Sequence, residues 1–196
     1  MPRSRELTRQ RILDAAYLLF RSRGYARVSI GDIAAASTIT KRTLYRHFDS
    51  KDVILEEVLK AQHRLALAAS RTLSHFSDST DDLVDALFAD IVAWSATPRW
   101  AGSGFTRLVV ELADFPGHPA HAIARKHKAM LEVHVANQLK RLNVASPAER
   151  ARQIWVLAEG AMVSMLIHRD PAYVEIAADA AKELLLRERR YKRRTS

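Results

Sequence analysis

The stretch from Ser29 to Lys51 constrains the fold of this chain more than any other part of its sequence. It predicts two short helices joined by a tight turn and followed by the start of another helix. Ser29 with Asp32 is an acidic version of the capping box, and Thr40 is the predicted N-cap of the second helix, which ends at Phe48. This is the pattern of a helix-turn-helix, whose second helix enters the major groove of DNA.

The second of these helices divides into an apolar and a polar side. Leu44 and Phe48 lie four residues apart and anchor it to a core. The other side carries several hydrogen-bond donors and no acid, as a surface that reads phosphates and bases needs. Ser29 and Lys51 are assigned to phosphates, because backbone N–H groups at helix starts favour anions. The candidate DNA contacts are Ser29, Thr40, Lys41, Arg42, Thr43, Tyr45, His47 and Lys51. The alternative is an ordinary solvated helix face.

The rest of the chain is typical of an all-α protein. It has only 6 Gly and 6 Pro, and 48% of its residues are hydrophobic, which favours several long amphipathic helices. Pro147 suits the first position of a helix capped by Ser146. The nine predicted helices cover about residues 7–23, 30–36, 41–48, 51–73, 82–96, 105–113, 121–142, 147–168 and 173–190.

The charge distribution and the absence of cysteine exclude several classes of function. The chain has no cysteine, so disulfides, thiolate catalysis and Cys-based zinc sites are excluded. Residues 1–60 carry a net charge of +5, residues 61–181 a net of −1 and residues 182–196 a net of +5. A basic surface at the helix-turn-helix end attracts phosphates. No signal peptide and no membrane span are predicted, so we expect a cytoplasmic protein.

The segment RILDAAYLLFRSRGYARVSIGDIAAASTITKRTLYRHFDSKDVILEEVL resembles the TetR/AcrR-type family of bacterial one-component transcriptional regulators. The run TLYRHF followed by SK is its most diagnostic part. Two residues depart from the family pattern: Thr38 replaces the turn glycine, and Arg42 replaces a small residue near the start of the second helix. A β-branched residue at position 38 resists a positive φ. Arg42 adds a long cation, which we interpret as a base or phosphate contact.

The resemblance implies an all-α, nine-helix TetR-like fold. Residues 1–52 would form the three-helix DNA-binding domain, with an ordered core of about 7–48. Residues 53–196 would form a helical bundle for ligand binding and dimerisation, ending in a basic tail. The tail is interpreted as a solvated end, with a second nucleic-acid or membrane contact as the alternative.

The function that the resemblance implies is that of a homodimeric repressor without cofactors. It would bind a palindromic double-stranded DNA operator and leave it when a small, largely apolar effector enters the C-terminal domain. Two half-sites suit the physics, because one two-turn helix reads only a few base pairs. The alternatives are a metal-dependent enzyme built on the helical domain and a DNA-binding accessory protein without a ligand. No catalytic motif supports the enzyme, so none is predicted.

Bulky and polar residues in the neutral middle of the chain are candidate effector contacts. They are Trp94, Trp100, Phe105, Leu108, His127, Leu131, His134, Trp155, Glu159 and Met162. The alternative for the apolar members is core packing, and for Glu159 an ion pair with Arg107. His118 and His121 lie near His127 and His134, and a zinc or nickel site is conceivable. No acid lies at matching spacing, so no metal is predicted.

The last two predicted helices are rich in small and apolar residues. Small residues let helices approach closely, and two helices from each subunit would form a four-helix interface. The candidate interface residues are Gly160, Ala161, Ile176, Ala180 and Leu184. The alternative is packing within one chain only.

Overall fold

The fold was taken from a computed structural model, which describes residues 2–73, 78–97 and 100–195, with side chains over 4–66, 78–97 and 100–186. These residues form nine helices and no strand, which confirms the all-α prediction. The helices are α1 (Pro2–Arg23), α2 (Ile30–Ala36), α3 (Lys41–Tyr45), α4 (Lys51–Leu73), α5 (Thr80–Ser95), α6 (Gly104–Glu111), α7 (Pro119–Arg141), α8 (Pro147–His168) and α9 (Ala172–Thr195).

The predicted helix ends differ from the structure at a few places. α1 begins at Pro2 rather than residue 7, and α9 continues to Thr195 rather than ending near residue 190. The predicted N-cap of α8 is wrong in its chemistry: Ser146 adopts a left-handed conformation (φ 46°) and its side chain makes no capping hydrogen bond. Pro147, which has no N–H to satisfy, begins the helix as predicted. The side chains of the basic tail from residue 187 lie outside the described residues.

The chain forms two compact units that do not follow its order. The first contains residues 1–66 and 103–127, and the second contains residues 67–102 and 128–196. The first unit therefore combines the helix-turn-helix with α6 and the beginning of α7. The predicted functional boundary after residue 52 stays a prediction.

The first unit has two apolar clusters. One holds the helix-turn-helix together, with Ile12, Ile33, Leu44 and Ile54 completely buried. The other joins the beginning of α4 to α6 and α7 and contains Tyr25, Leu55, Leu59, Phe105, Leu108, Leu112, Ala120 and Ala124. Burial of apolar side chains is the main stabilising term. α6 is thus part of the core of the unit that contains the helix-turn-helix.

The second unit is a bundle around one apolar cluster. α9 packs against both α8 and α5. Val84, Leu139, Ala158 and Ala181 are completely buried at its centre. None of the described helices is long and apolar enough to cross a membrane.

Candidate nucleic-acid interface

The start of α2 is fixed by the predicted capping box. The Ser29 hydroxyl accepts a hydrogen bond from the Asp32 N–H at 3.1 Å, and the Asp32 carboxylate accepts one from the Ser29 N–H at 2.8 Å. Hydrogen bonds from the Ser29 side chain and backbone hold the pKa of Asp32 below its usual value. Ser29 and Asp32 therefore bond each other at the start of α2, and the Ser29 side chain is exposed to solvent there.

The turn between α2 and α3 is a Schellman motif. The Ile39 N–H donates to the Ala34 carbonyl at 3.0 Å, and the Thr38 N–H donates to the Ala35 carbonyl at 3.1 Å. Thr38 occupies the residue that must turn left, with φ 57°. Arg11 of α1 donates to the Ser37 carbonyl at 2.5 Å and ties the turn to the first helix. The chain therefore makes the turn without the glycine that normally allows it.

α3 is shorter than predicted. The Thr40 hydroxyl accepts from the Thr43 N–H at 3.1 Å, which confirms the predicted N-cap. The regular helix ends at Tyr45, and the prediction that it continues to Phe48 is wrong. The last turn tightens, since the His47 N–H donates to the Leu44 carbonyl three residues earlier. Leu44 and Phe48 are both buried as predicted.

Four of the eight predicted DNA contacts are exposed on the outward side of α3 and its N-cap. Thr40, Lys41, Arg42 and Tyr45 are exposed, and Tyr45 keeps 53% of its surface in solvent. The stem of Lys41 crosses the start of α2, with its Cε 3.0 Å from where a Cβ on Gly31 would lie. Glycine at position 31 therefore leaves room for this cation beside Ser29.

Thr43 and His47 are half-buried on the same helix-turn-helix. The Thr43 hydroxyl lies 3.0 Å from the Thr40 hydroxyl. Burial and the positive charges of Arg5, Arg46 and Arg9 hold the pKa of His47 below its usual value. His47 is thus neutral at neutral pH and sits in a positive local field, which suits a nearby phosphate.

Lys51 has a role that the sequence did not predict. Its ammonium group donates to the carbonyls of Tyr25 (3.1 Å) and Val28 (3.0 Å) and lies 4.1 Å from the centre of the Tyr25 ring. Burial lowers its pKa. The ammonium group of Lys51 is thus directed at the loop before α2, and the predicted phosphate contact at the start of α4 stays a prediction that the backbone N–H groups there would carry.

Two residues of α6 hold the last turn of α1 and the loop that follows it. The Glu111 carboxylate accepts hydrogen bonds from the N–H groups of Tyr25 (2.9 Å) and Ala26 (2.7 Å). Arg107 donates to the Arg21 carbonyl at 3.0 Å. The last turn of α1 and the loop after it are thus bound by side chains of α4 and α6, which we call the loop clamp (Lys51, Arg107 and Glu111). No local signal in the sequence identifies it.

The predicted effector contacts are divided between the two units. Phe105 and Leu108 are buried in the first unit, where His127 stacks on Phe105 with ring centroids 3.9 Å apart. The Nδ1 atoms of His127 and His63 lie 3.3 Å apart, so one ring donates and the other accepts. The predicted contacts in the second unit are Trp94, Trp100, Leu131, His134, Trp155, Glu159 and Met162.

Glu159 pairs with Lys128, not with Arg107 as the sequence alternative suggested. The ring nitrogens of two other histidines are used in backbone contacts: His118 accepts from the Ala120 N–H, and His121 contacts the Leu112 carbonyl. Over the part of the chain that the structure describes, no group of three His, Asp or Glu side chains could hold a metal ion.

The surface of α8 has an apolar stripe that the sequence predicted only in part. Val156, Gly160, Val163 and Ile167 are exposed at positions i, i+4, i+7 and i+11 of the helix. We call these four residues the α8 stripe. A Cβ on Gly160 would meet no atom within 4 Å, so another helix can approach closely there.

The other predicted interface residues have mixed positions. Ile176 on α9 is 65% exposed, while Ala180 and Leu184 are half-buried. Ala161 is 5% exposed and belongs to the core of its own unit, so it does not fit an interface role.

Comparison with known proteins connects this geometry to DNA binding. Residues 12–58 match the model of the family described as bacterial regulatory proteins, tetR family. The chain is 27% identical to the HTH-type transcriptional regulator YjdC of Escherichia coli over 182 residues, covering 91% of this chain and 94% of that protein. It is 46% identical over 59 residues to an HTH-type transcriptional repressor of Mycobacterium tuberculosis, covering 30% and 31%. The crystal structure of a TetR-family transcriptional regulator from Streptomyces coelicolor superposes with a TM-score of 0.82 at 27% identity, covering 92% of this chain and 95% of that one.

Proposed function

We propose that this chain, which belongs to the TetR/AcrR-type family of transcriptional regulators, is a homodimeric repressor of the cytoplasm. It binds a palindromic operator and leaves it when a small, largely apolar effector binds. Its relatives are transcriptional regulators and it is not an enzyme. The observation that carries the proposal is the outward side of α3, with Lys41, Arg42 and Tyr45 exposed together.

The exposed side of α3 with Lys41, Arg42 and Tyr45, which we call the recognition surface, is small and is held in place by three sets of contacts. Leu44 and Phe48 hold it from below, the Schellman turn sets its angle to α2, and Arg11 fixes that turn to α1. A rigid support keeps exposed side chains in the geometry that reading bases requires. A helix of five residues covers few base pairs, so a second copy of the chain is needed for useful specificity.

The α8 stripe supports dimerisation. Exposed apolar residues that form one continuous face of a helix mark an interaction site. Ile176 of α9 adds a second exposed apolar side chain. In a symmetric dimer the same face of each copy meets, so one stripe serves both subunits. Gly160, near the middle of the stripe, permits the close approach that helix packing needs.

The test is salt-dependent binding to the DNA upstream of the protein's own gene, measured by fluorescence anisotropy. Each phosphate contact contributes a slope of about −0.9 to the plot of log affinity against log salt concentration. Arg42→Ala should weaken binding by about tenfold or more. If Arg42 contacts a phosphate, the slope falls by about one, and if it reads a base, the slope stays and base preference relaxes. Tyr45→Ala should weaken binding with no change in slope.

The matched control is Arg125→Ala, which removes one positive charge from an exposed position on α7 in the same unit. It should change affinity by less than about threefold, because Arg125 is not one of the predicted DNA contacts and solvent and salt screen the charge of an exposed side chain. Unfolding curves of all variants should coincide with that of the wild type. The proposal is wrong if the wild type shows no salt-dependent binding to this DNA, or if Arg42→Ala and Arg125→Ala have equal effects.

A further inference from the structure

Two tryptophans of the second unit have buried polar atoms without a partner. The indole nitrogens of Trp100 and Trp155 are shielded from solvent, and no hydrogen-bond acceptor among the described residues is in reach of either. Both side chains pack against the apolar core of the unit. Almost all buried N–H groups in native proteins are hydrogen-bonded, since an unpaired one costs free energy. These two donors therefore need an explanation.

Both indole side chains pack against apolar residues. Trp155 lies on α8 between the buried residues Ile154 and Ala158. Met162, seven residues later on the same side of the helix, belongs to the same core. Trp100 follows α5, and its ring meets the edge of Trp94 with centroids 5.9 Å apart. An indole N–H can only donate, so an acceptor oxygen or nitrogen is the one kind of group that satisfies it.

The charges on this part of α8 restrict the acceptor further. Glu159 lies one turn after Trp155, and its carboxylate is in an ion pair with Lys128. A ligand carboxylate beside Trp155 would lie near that negative charge and would have to compete for the cation. An uncharged oxygen acceptor avoids both costs.

We infer that Trp100 and Trp155 are polar contacts of the effector site, and that the effector is an uncharged, mostly apolar molecule with ketone-, ester- or ether-type oxygen. This inference rests on the proposed function, since it specifies the effector of the repressor. A site built around a buried donor rejects an analogue without the acceptor, because the donor is then left unpaired in the complex. The two indoles would therefore act as specificity determinants, and the apolar core as the source of general affinity.

The experiment compares matched probes that differ by one oxygen: benzophenone with diphenylmethane, and acetophenone with ethylbenzene. The full-length protein is labelled with ¹⁵N-tryptophan, and its three indole N–H signals are followed by NMR during titration. The ketones should shift the signals of Trp100 and Trp155 and bind about tenfold tighter than their hydrocarbons.

Variants then test each donor. Trp100→Phe and Trp155→Phe remove the N–H and keep an aromatic ring, so each should reduce the preference for the ketone to about threefold or less. Tyr173→Phe is the matched control, because it removes a hydroxyl donor from an aromatic ring of the same unit that stacks on His168 with centroids 4.8 Å apart, and it should keep the preference. The shift of the indole signals in the wild-type protein is independent of how well any variant folds.

The inference is overturned if ketone and hydrocarbon bind equally, if either Trp100→Phe or Trp155→Phe keeps the preference, or if no probe moves the two signals. Binding of the probe-free protein to the upstream DNA is measured separately. Loss of that binding would refute the proposed function, whereas DNA binding without a ketone preference would refute only the inference about the effector.

Discussion

Replacing Thr38 by glycine should stabilise the protein, which is unusual for a change that removes a side chain. Thr38 has φ 57° at the residue after the last turn of α2. The left-handed conformation costs an L-residue about 1–2 kcal/mol, and a β-branched side chain does not reduce this cost. Thr38→Gly removes the strain and keeps both hydrogen bonds of the Schellman turn, because these involve backbone atoms only.

The gain is smaller than the strain because glycine also makes the unfolded chain more flexible. That effect disfavours folding by about 0.4–1 kcal/mol. The net stabilisation expected for Thr38→Gly is therefore about 0.5–1 kcal/mol in the free energy of unfolding. Urea unfolding should be followed by far-UV circular dichroism at fixed protein concentration. Tryptophan fluorescence would not report on this unit, since Trp94, Trp100 and Trp155 all belong to the other one.

Asn143 provides a matched control within the same chain. It ends α7 in the same kind of turn with the same φ of 57°, and the Val144 N–H donates to the Leu139 carbonyl at 3.0 Å. Asparagine tolerates this conformation well, so Asn143→Gly should give no gain or a small loss. The reasoning is refuted if Thr38→Gly stabilises no more than Asn143→Gly does.

Three further predictions concern other features of the structure. Glu111→Ala removes both hydrogen bonds to the loop after α1 and should lower the free energy of unfolding by about 1–2 kcal/mol. Asp114→Ala, an exposed control just beyond α6, should have little effect on that free energy. Equal losses in the two variants would contradict the role of Glu111 in the loop clamp. Ile167→Glu puts a charge on the α8 stripe and should convert a dimer to monomers in sedimentation velocity, and a variant of unchanged mass would argue against this interface. His47 has a lowered pKa in the folded protein, so the unfolded chain takes up a proton first as pH falls below about 6.5, and stability decreases there. His47→Gln should lose less stability than the wild type between pH 7.5 and 5, and identical losses would exclude His47 as the cause.

Local signals in the sequence predicted the DNA-binding part well. The capping residues Ser29 and Thr40 act within three residues of their own position, so their hydrogen bonds follow from the sequence pattern. The end of α3 was harder to predict, because Leu44 and Phe48 keep the helical spacing of buried residues although the regular helix ends at Tyr45. Ser146 shows the limit of such signals: it stands at the right position, but its backbone is left-handed and its side chain makes no capping hydrogen bond.

Contacts between distant residues could not be predicted. Glu111 binds N–H groups that lie 85 and 86 residues earlier in the chain, and a carboxylate at the end of a short helix gives no sign of such partners. The sequence also did not show that Gly160 is exposed while its neighbour Ala161 is buried in the core. Residues 156–163 are apolar on more than one side of α8, so helical periodicity alone does not tell which side meets the core.

The inclusion of α6 in the first unit has a consequence for how the protein is made. Leu55 and Leu59 of α4 share their apolar cluster with Phe105, Leu108 and Ala124. When synthesis has reached residue 66, the whole helix-turn-helix has been made, but the members of this cluster from α6 and α7 have not. Residues 67–102 must be synthesised before residues 103–127, which complete the cluster, can pack against Leu55 and Leu59. For the same reason, residues 1–66 are not a complete unit, and transferring the helix-turn-helix to another protein would require residues 103–127 as well.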